Sequence, residues 1–429
     1  MDAPTLTPTP TRLKGNRDFA ILWLGDMGSE LGSAMSTLVF PLLGYALTHS
    51  TTQAALATTA FFAAGTITRL PAGALVDRWS RRRVLLVSNL ASAGVLGALA
   101  LLVASGSATI GLLILAAVLA GIVETFFSPA ASASLRAVVP PEHLAQAYTR
   151  MQARHHVASL IGPPLGGALF AVAASLPFTV DAVSFAAFAV AVLFLRAPLP
   201  APEVTGPRRL GKDLAEGLRF LWSQRAARAM MLWGGIVNFA MGYVLILITL
   251  RLVRAGVAPA AIGAIDAIAA GAGIVGAAVA SRHTLRLPTG ATTMVTGLVL
   301  AAVVVPMAWT TDVRVIGALL ALGTFVMPAN NAGIGAYLSF VTPDELQGRL
   351  NSAAGFVSGG LTPFAPVIAG ALLATLGGTA GTLVGTVLVA GSLLPLVLEP
   401  SVRRLGRPAE WAPPASEPLP DALDPGSVR

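Results

Sequence analysis

Apolar runs of about 20 residues follow one another along most of the chain, separated by short loops rich in Gly, Pro, Ser and charged residues. At about 1.5 Å per residue, one such run crosses a hydrocarbon core about 30 Å thick as a helix. The short alternating pattern of a membrane barrel strand is missing, so the periodicity predicts an all-α membrane protein. Spans are read at 20–47, 52–75, 84–104, 109–134, 147–173, 177–195, 229–250, 259–280, 290–309, 313–338, 352–375 and 379–398. Twelve transmembrane helices follow, in two six-helix halves on either side of the longest interior polar segment, "RAPLPAPEVTGPRRLGKDLAEGLRFLWSQRAAR". That segment begins as a Pro-rich linker and ends as a basic amphipathic stretch suited to a membrane surface. The expected domains are a cytoplasmic N-terminal tail (1–18), a first bundle (19–195), a cytoplasmic linker (196–228), a second bundle (229–399) and a disordered cytoplasmic tail (400–429).

Composition agrees. Of 429 residues, 55% are hydrophobic and 11% charged, against about 25% charged in an ordinary soluble domain; the mean hydropathy is +0.75. There is no cysteine, hence no disulfide, thiolate metal site or cysteine nucleophile. The polar N-terminus lacks the regions of a signal peptide, so the first span is expected to be retained. With that terminus inside, the inner loops receive the "DRWSRRR" cluster, Arg136, the connector, Arg282, Arg286, Arg349 and Arg403 to Arg407, and the outer loops only Arg251, Arg254 and Arg314. This bias predicts a multi-pass protein of the cell (inner, cytoplasmic) membrane with both termini cytoplasmic. The net charge of +8 then reflects insertion beside anionic lipid, not a nucleic-acid partner.

The halves carry traces of a duplication. "VVPPEHLAQ" at 138–146 reappears loosely as "VTPDELQGR" at 341–349, and "GPPLGGALFA" at 162–171 as "APVIAGALLA" at 365–374, both at a 203-residue offset. Repeated halves with a site between them are a common plan of secondary transporters.

At this point the chain resembles the major facilitator superfamily over about residues 15–400. "GALVDRWSRRRVL" at 73–85 is similar to its signature between the second and third helices: Gly73, Leu75, Asp77, Arg78, Arg81 and Arg82 match, with Ser80 where Gly is usual. In span five, "GPPLGG" (Gly162, Pro163, Gly166, Gly167) is similar to the element that this superfamily's antiporters carry there, with Ala158 in place of its leading Gly. Proline frees a helical carbonyl and glycine permits close helix contact, so both elements are candidates for conformational gating. "FTVDAVSF" at 178–185 and "TFFSPAASASL" at 125–135 resemble a bacterial branch that contains macrolide and siderophore exporters.

Ionisable groups inside spans usually pair, face water or move protons. Span one holds Asp26 and Glu30 a turn apart, with Ser33 and Thr37 continuing their face; Glu124 lies halfway along span four, and Arg154, His155 and His156 in the inner half of span five. Two readings stay open. In one, Asp26, Glu30 or Glu124 carries a proton linked to cargo, with Arg154 and His155 as partners; in the other, Arg154 neutralises one acid permanently and the histidines only hydrogen-bond. Adjacent histidines diverge by about 100° on a helix, so no metal site is expected. The resemblance places the first, fourth, seventh and tenth helices around the cavity, which makes Asn238, Asn330 and Asn331 cargo candidates or helix-to-helix bonds. Asp266 in span eight is an outer-side acid that is read as an outer gate, a second ion site or a partner of Arg251 or Arg254, the pairing being preferred. Asp181 is read as an acid at the positive end of span six.

The expectation is a secondary transporter, not an enzyme, that exports amphipathic or hydrophobic small molecules by alternating access, drawing on the proton gradient without a cofactor and functional as a monomer in the bilayer. A proton-linked importer or facilitator of a polar nutrient and a lipid flippase are the alternatives. No HExxH or GxSxG motif is present, and the phosphate-loop spacing of "GPRRLGKD" lacks the Ser or Thr that would hold magnesium.

Overall fold

The computed structural model describes residues 15–76, 79–199, 210–283, 286–343 and 346–411. It is built of helices, with no strand among the described residues. The first half comprises α1 (Arg17–Thr48), α2 (Thr51–Val76), α3 (Arg81–Ala104), α4 (Ile110–Val138), α5 (Leu144–Val172) and α6 (Leu176–Leu193). A connector helix, α7 (Leu210–Ser223), leads to α8 (Arg225–Arg254), α9 (Pro259–His283), α10 (Thr289–Met307), α11 (Val313–Val341), α12 (Gln347–Gly359), α13 (Ala365–Gly391) and the short α14 (Leu394–Leu398) and α15 (Pro400–Arg403).

Nine stretches of the described residues are long and apolar enough to cross a membrane. The other expected spans have local explanations. Threonines and Arg69 dilute α2, the polar stretch from Gln146 to His156 dilutes α5, and the last two expected spans merge into one apolar stretch, Gln347–Leu398. A 3₁₀ turn at Thr362–Phe364 and Gly377, at φ 79° and ψ 177°, interrupt it. A side chain at Gly377 would strain that backbone, so the glycine marks the turn between the two spans.

Helix ends follow local chemistry. Asn16 caps α1 by accepting the Phe19 N–H, and its amide donates to the Val138 carbonyl at the end of α4 at 2.8 Å. Asp18 accepts the N–H groups of Arg196 and Ala197 just beyond α6. These bonds gather the start of α1 and the ends of α4 and α6 at one end of the bundle, here termed proximal.

The halves meet extensively at the opposite, distal end, where α5 packs on α9 and α2 on α13. Gly167 and Gly370 are equivalent positions of the duplicated segment, and each forms one of these seams. A Cβ on Gly167 would strike the Pro259 backbone, and one on Gly370 the Thr51 carbonyl and Ala55. Thr51 and Thr52 also donate their hydroxyls to the Gly370 carbonyl at 3.0 and 3.3 Å.

Three expected boundaries move. α8 starts at Arg225, inside the expected linker. α1 starts at Arg17, inside the expected N-terminal tail. The C-terminal segment remains structured to Trp411: Leu405 and Gly406 accept the Gly290 and Thr289 N–H groups, and the Trp411 ring lies 5.5 Å from Tyr337 and 5.4 Å from Phe340. An aromatic ring with two ring partners thus orders the first part of a tail that its Pro-rich composition led us to expect disordered. Residues 412–429 lie outside the described residues, as do Asp77 and Arg78.

Candidate functional site

A cavity of about 380 Å³ opens in the proximal half of the first bundle, between α1, α4 and α5. Helical spacing of three to four residues puts Asp26, Glu30 and Ser33 on its wall from α1. Glu124 and Phe127 face it from α4, Tyr148, Met151, Arg154 and His155 from α5, and Phe185 from α6. Ionisable groups from three spans thus share one space.

Arg154 organises one side. It is buried and donates Nη1 to Asp26 Oδ2 and Nε to Glu30 Oε2, the latter at 2.7 Å. The planar guanidinium holds two acids at once, where the sequence reading allowed it one. His155 Nδ1 bonds the other oxygen of Glu30, and its side chain is 55% exposed at the cavity mouth. Asp26 is buried beneath the guanidinium. The ring of His156 lies 6.0 Å from that of His155, outside the acid network.

Glu124 is different. Its side chain is exposed to the cavity, and among the described residues it has neither a hydrogen-bond nor an ion-pair partner. It also lines a second, smaller space of about 30 Å³, between α1, α2, α3, α4 and α6, with Ser33, Thr37 and Asp181. Thr37 bonds the Ser33 carbonyl within α1 at 2.8 Å. Asp181 is 1% exposed and bonded to Ser36. It is the sixth residue of α6, beyond the first turn that a helix dipole favours, so the reading of it as a helix-end acid is corrected. The available signal was Gly32 and Ser36, a turn apart on α1, which leave room and a donor for a carboxyl.

The second-half candidates sit elsewhere. Asn238 donates to the Ser358 carbonyl of α12 at 3.0 Å, the amide of buried Asn330 lies 3.4 Å from the Asn331 side-chain oxygen, and none of the three lines either cavity. Asp266 is not paired with Arg251 or Arg254: Arg251 donates to the Met307 carbonyl instead, and Asp266 has no partner among the described residues. A carbonyl within reach satisfied the guanidinium before an acid on the next helix.

The gating candidates occupy helix contacts. Gly162 and Gly166 lie against Ala34 and Met35 of α1, Gly167 against Pro259, and the Pro163 carbonyl against Gly263 of α9. Arg82 donates to the Leu193 carbonyl at the end of α6 at 2.5 Å, Arg81 begins α3, and Gly73 falls in the last turn of α2.

A bundle of apolar helices in two halves, with a polar cavity reaching partway through one of them, is the architecture of a multi-pass membrane protein. The model of the Major Facilitator Superfamily matches residues 22–366, and the chain belongs to that family. Among curated proteins it is similar to the multidrug efflux pump Tap of Mycobacterium tuberculosis and of Mycobacterium bovis, each 29% identical over 223 residues, 49% of this chain and 52% of the relative. The chain spans about half the length of these relatives. Among solved structures, a bacterial homolog of the human lysosomal transporter Spinster, in an inward-facing and unoccupied conformation, superposes with a TM-score of 0.70 at 16% identity, covering 94% of this chain and 100% of that one. A peptide-transporter-family (POT) protein in complex with 5-aminolevulinic acid gives 0.71 at 13%, covering 92% and 98%. At such identities these likenesses establish the fold.

Proposed function

We propose that this protein exports amphipathic or hydrophobic small molecules by alternating access, in exchange for protons. Glu124 carries the reading: an acid on the cavity wall without a cation, facing a cluster in which Arg154 already compensates Asp26 and Glu30. A group that changes charge without breaking an ion pair suits coupling, whereas Asp26 and Glu30 shape and orient the wall. Phe127, Met151 and Phe185 beside these acids suit a cargo with an apolar body and a polar end. The likeness to a multidrug efflux pump supports the outward direction.

In this scheme the arginine-rich proximal end faces the cytoplasm of the cell membrane, and one chain suffices because it lines the whole cavity. Cargo enters from the cytoplasm while Glu124 is ionised. The seams of α5 with α9 and α2 with α13 then part, a proton from outside replaces cargo at Glu124, and the protonated protein returns. The test is efflux of a fluorescent lipophilic cation from a pump-deficient host. A protonophore is expected to abolish efflux, and Glu124→Gln to lower it at least tenfold at unchanged protein level. Efflux indifferent to the protonophore, or gradient-driven uptake of polar solutes instead, sinks the proposal.

A further inference from the structure

α6 carries an acid that this scheme does not use. The Oδ2 atom of Asp181 accepts a hydrogen bond from Ser36 Oγ of α1, and Oδ1 has no partner among the described residues. The carboxyl lies against Gly32, where a Cβ would overlap it, so α1 makes room for the acid by having no side chain there. No cation faces it. α3 contributes Ser92, its arginines Arg81 to Arg83 standing at the proximal start of that helix. α1 contributes Ser33, Ser36 and Thr37, its own acids Asp26 and Glu30 being held by Arg154 of α5, and His155 of α5 bonds Glu30. Glu124 of α4 is the other titratable group on the small cavity. An ionised carboxyl in such a place carries a desolvation penalty that one hydroxyl does not offset, whereas a neutral acid escapes most of it.

We infer that Asp181 is a second proton site, loaded in this conformation and emptied through Glu124. The cavity between them, about 30 Å³, has room for a single water with polar partners on its walls. Asp181 gives its proton to that water, which passes one of its own to the Glu124 carboxylate. The products are an Asp181 carboxylate and a Glu124 acid, and the water is restored. Glu124 then exchanges its proton with solvent in the larger cavity. The site deepens the proton-coupled reading above and rests on it: a proton held away from the cargo survives cargo binding and release.

The test uses the full chain in lipid vesicles with ethidium as cargo. Asp181→Asn is expected to lower pH-gradient-driven accumulation at least tenfold while leaving ethidium counterflow, which needs no net proton movement, within twofold. In infrared difference spectra at neutral pH, the carbonyl band of a protonated carboxyl should vanish in Asp181→Asn and move to higher frequency in Ser36→Ala, which loses the donor but keeps the acid. If Asp181→Asn fails to fold and counterflow is lost with it, the Ser36→Ala band still decides. Undiminished driven transport in Asp181→Asn, a spectrum unmoved by either substitution, or a sodium gradient that replaces the pH gradient overturns the inference. Loss of pH-driven transport in the unmodified chain defeats the coupling reading instead, and the infrared band then reports on Asp181 alone.

Discussion

Arg154 stands between two carboxylates whose side chains are 8% and 23% exposed, and its own is 9% exposed. Removing the cation leaves two acids one turn apart in a desolvated wall. Breaking a buried pair of this kind costs about 3–5 kcal/mol. Arg154→Met is therefore expected to unfold at distinctly lower temperature in detergent, and Arg154→Met with Asp26→Asn and Glu30→Gln to recover most of the loss, because no unpaired charge remains. A triple variant no more stable than the single one would show that packing, not charge, sets the effect. The acids of α1 and the arginine of α5 were legible in the sequence as ionisable groups inside spans. What spacing does not encode is direction across helices: it could not say that Arg154 reaches both acids, that Asp181 turns toward Gly32 and Ser36, or that Asn238 spends its amide on a neighbouring carbonyl.

The helices themselves were read from runs of apolar residues, and their ends moved where a local group intervened, as with Asn16 at α1 and Trp411 beyond α15. The duplicated segment was legible as a weak repeat; its use was not, since the contact it makes lies in the other half of the chain. Both copies place glycine where another helix's backbone passes, Gly167 at Pro259 and Gly370 at Thr51. Gly167→Leu or Gly370→Leu is therefore expected to prop the distal end open. Spin labels at Ser50 and Ala258 should report a longer, broader distance distribution in either variant than in the parent chain. An unchanged distribution would show that the seams yield without opening.

As a whole the molecule places its arginine-rich loops at one end, and the absence of cysteine allows single reporters without background. Cysteines introduced at Ser107 and Gly256, in distal loops, should react with an impermeant maleimide on intact cells, and a cysteine at Ser80 only after lysis. The reverse pattern would invert the membrane orientation and with it the direction of transport. The two seams also differ in kind. Packing forms one, whereas Thr51 and Thr52 fasten the other to a single carbonyl. Two such bonds contribute roughly 1–3 kcal/mol net, a bias of about 5- to 150-fold. The closed state is then a latch weak enough for one ligand or one proton to release: Thr51→Val with Thr52→Val should leave the fold intact and shift the resting population of molecules toward the open side.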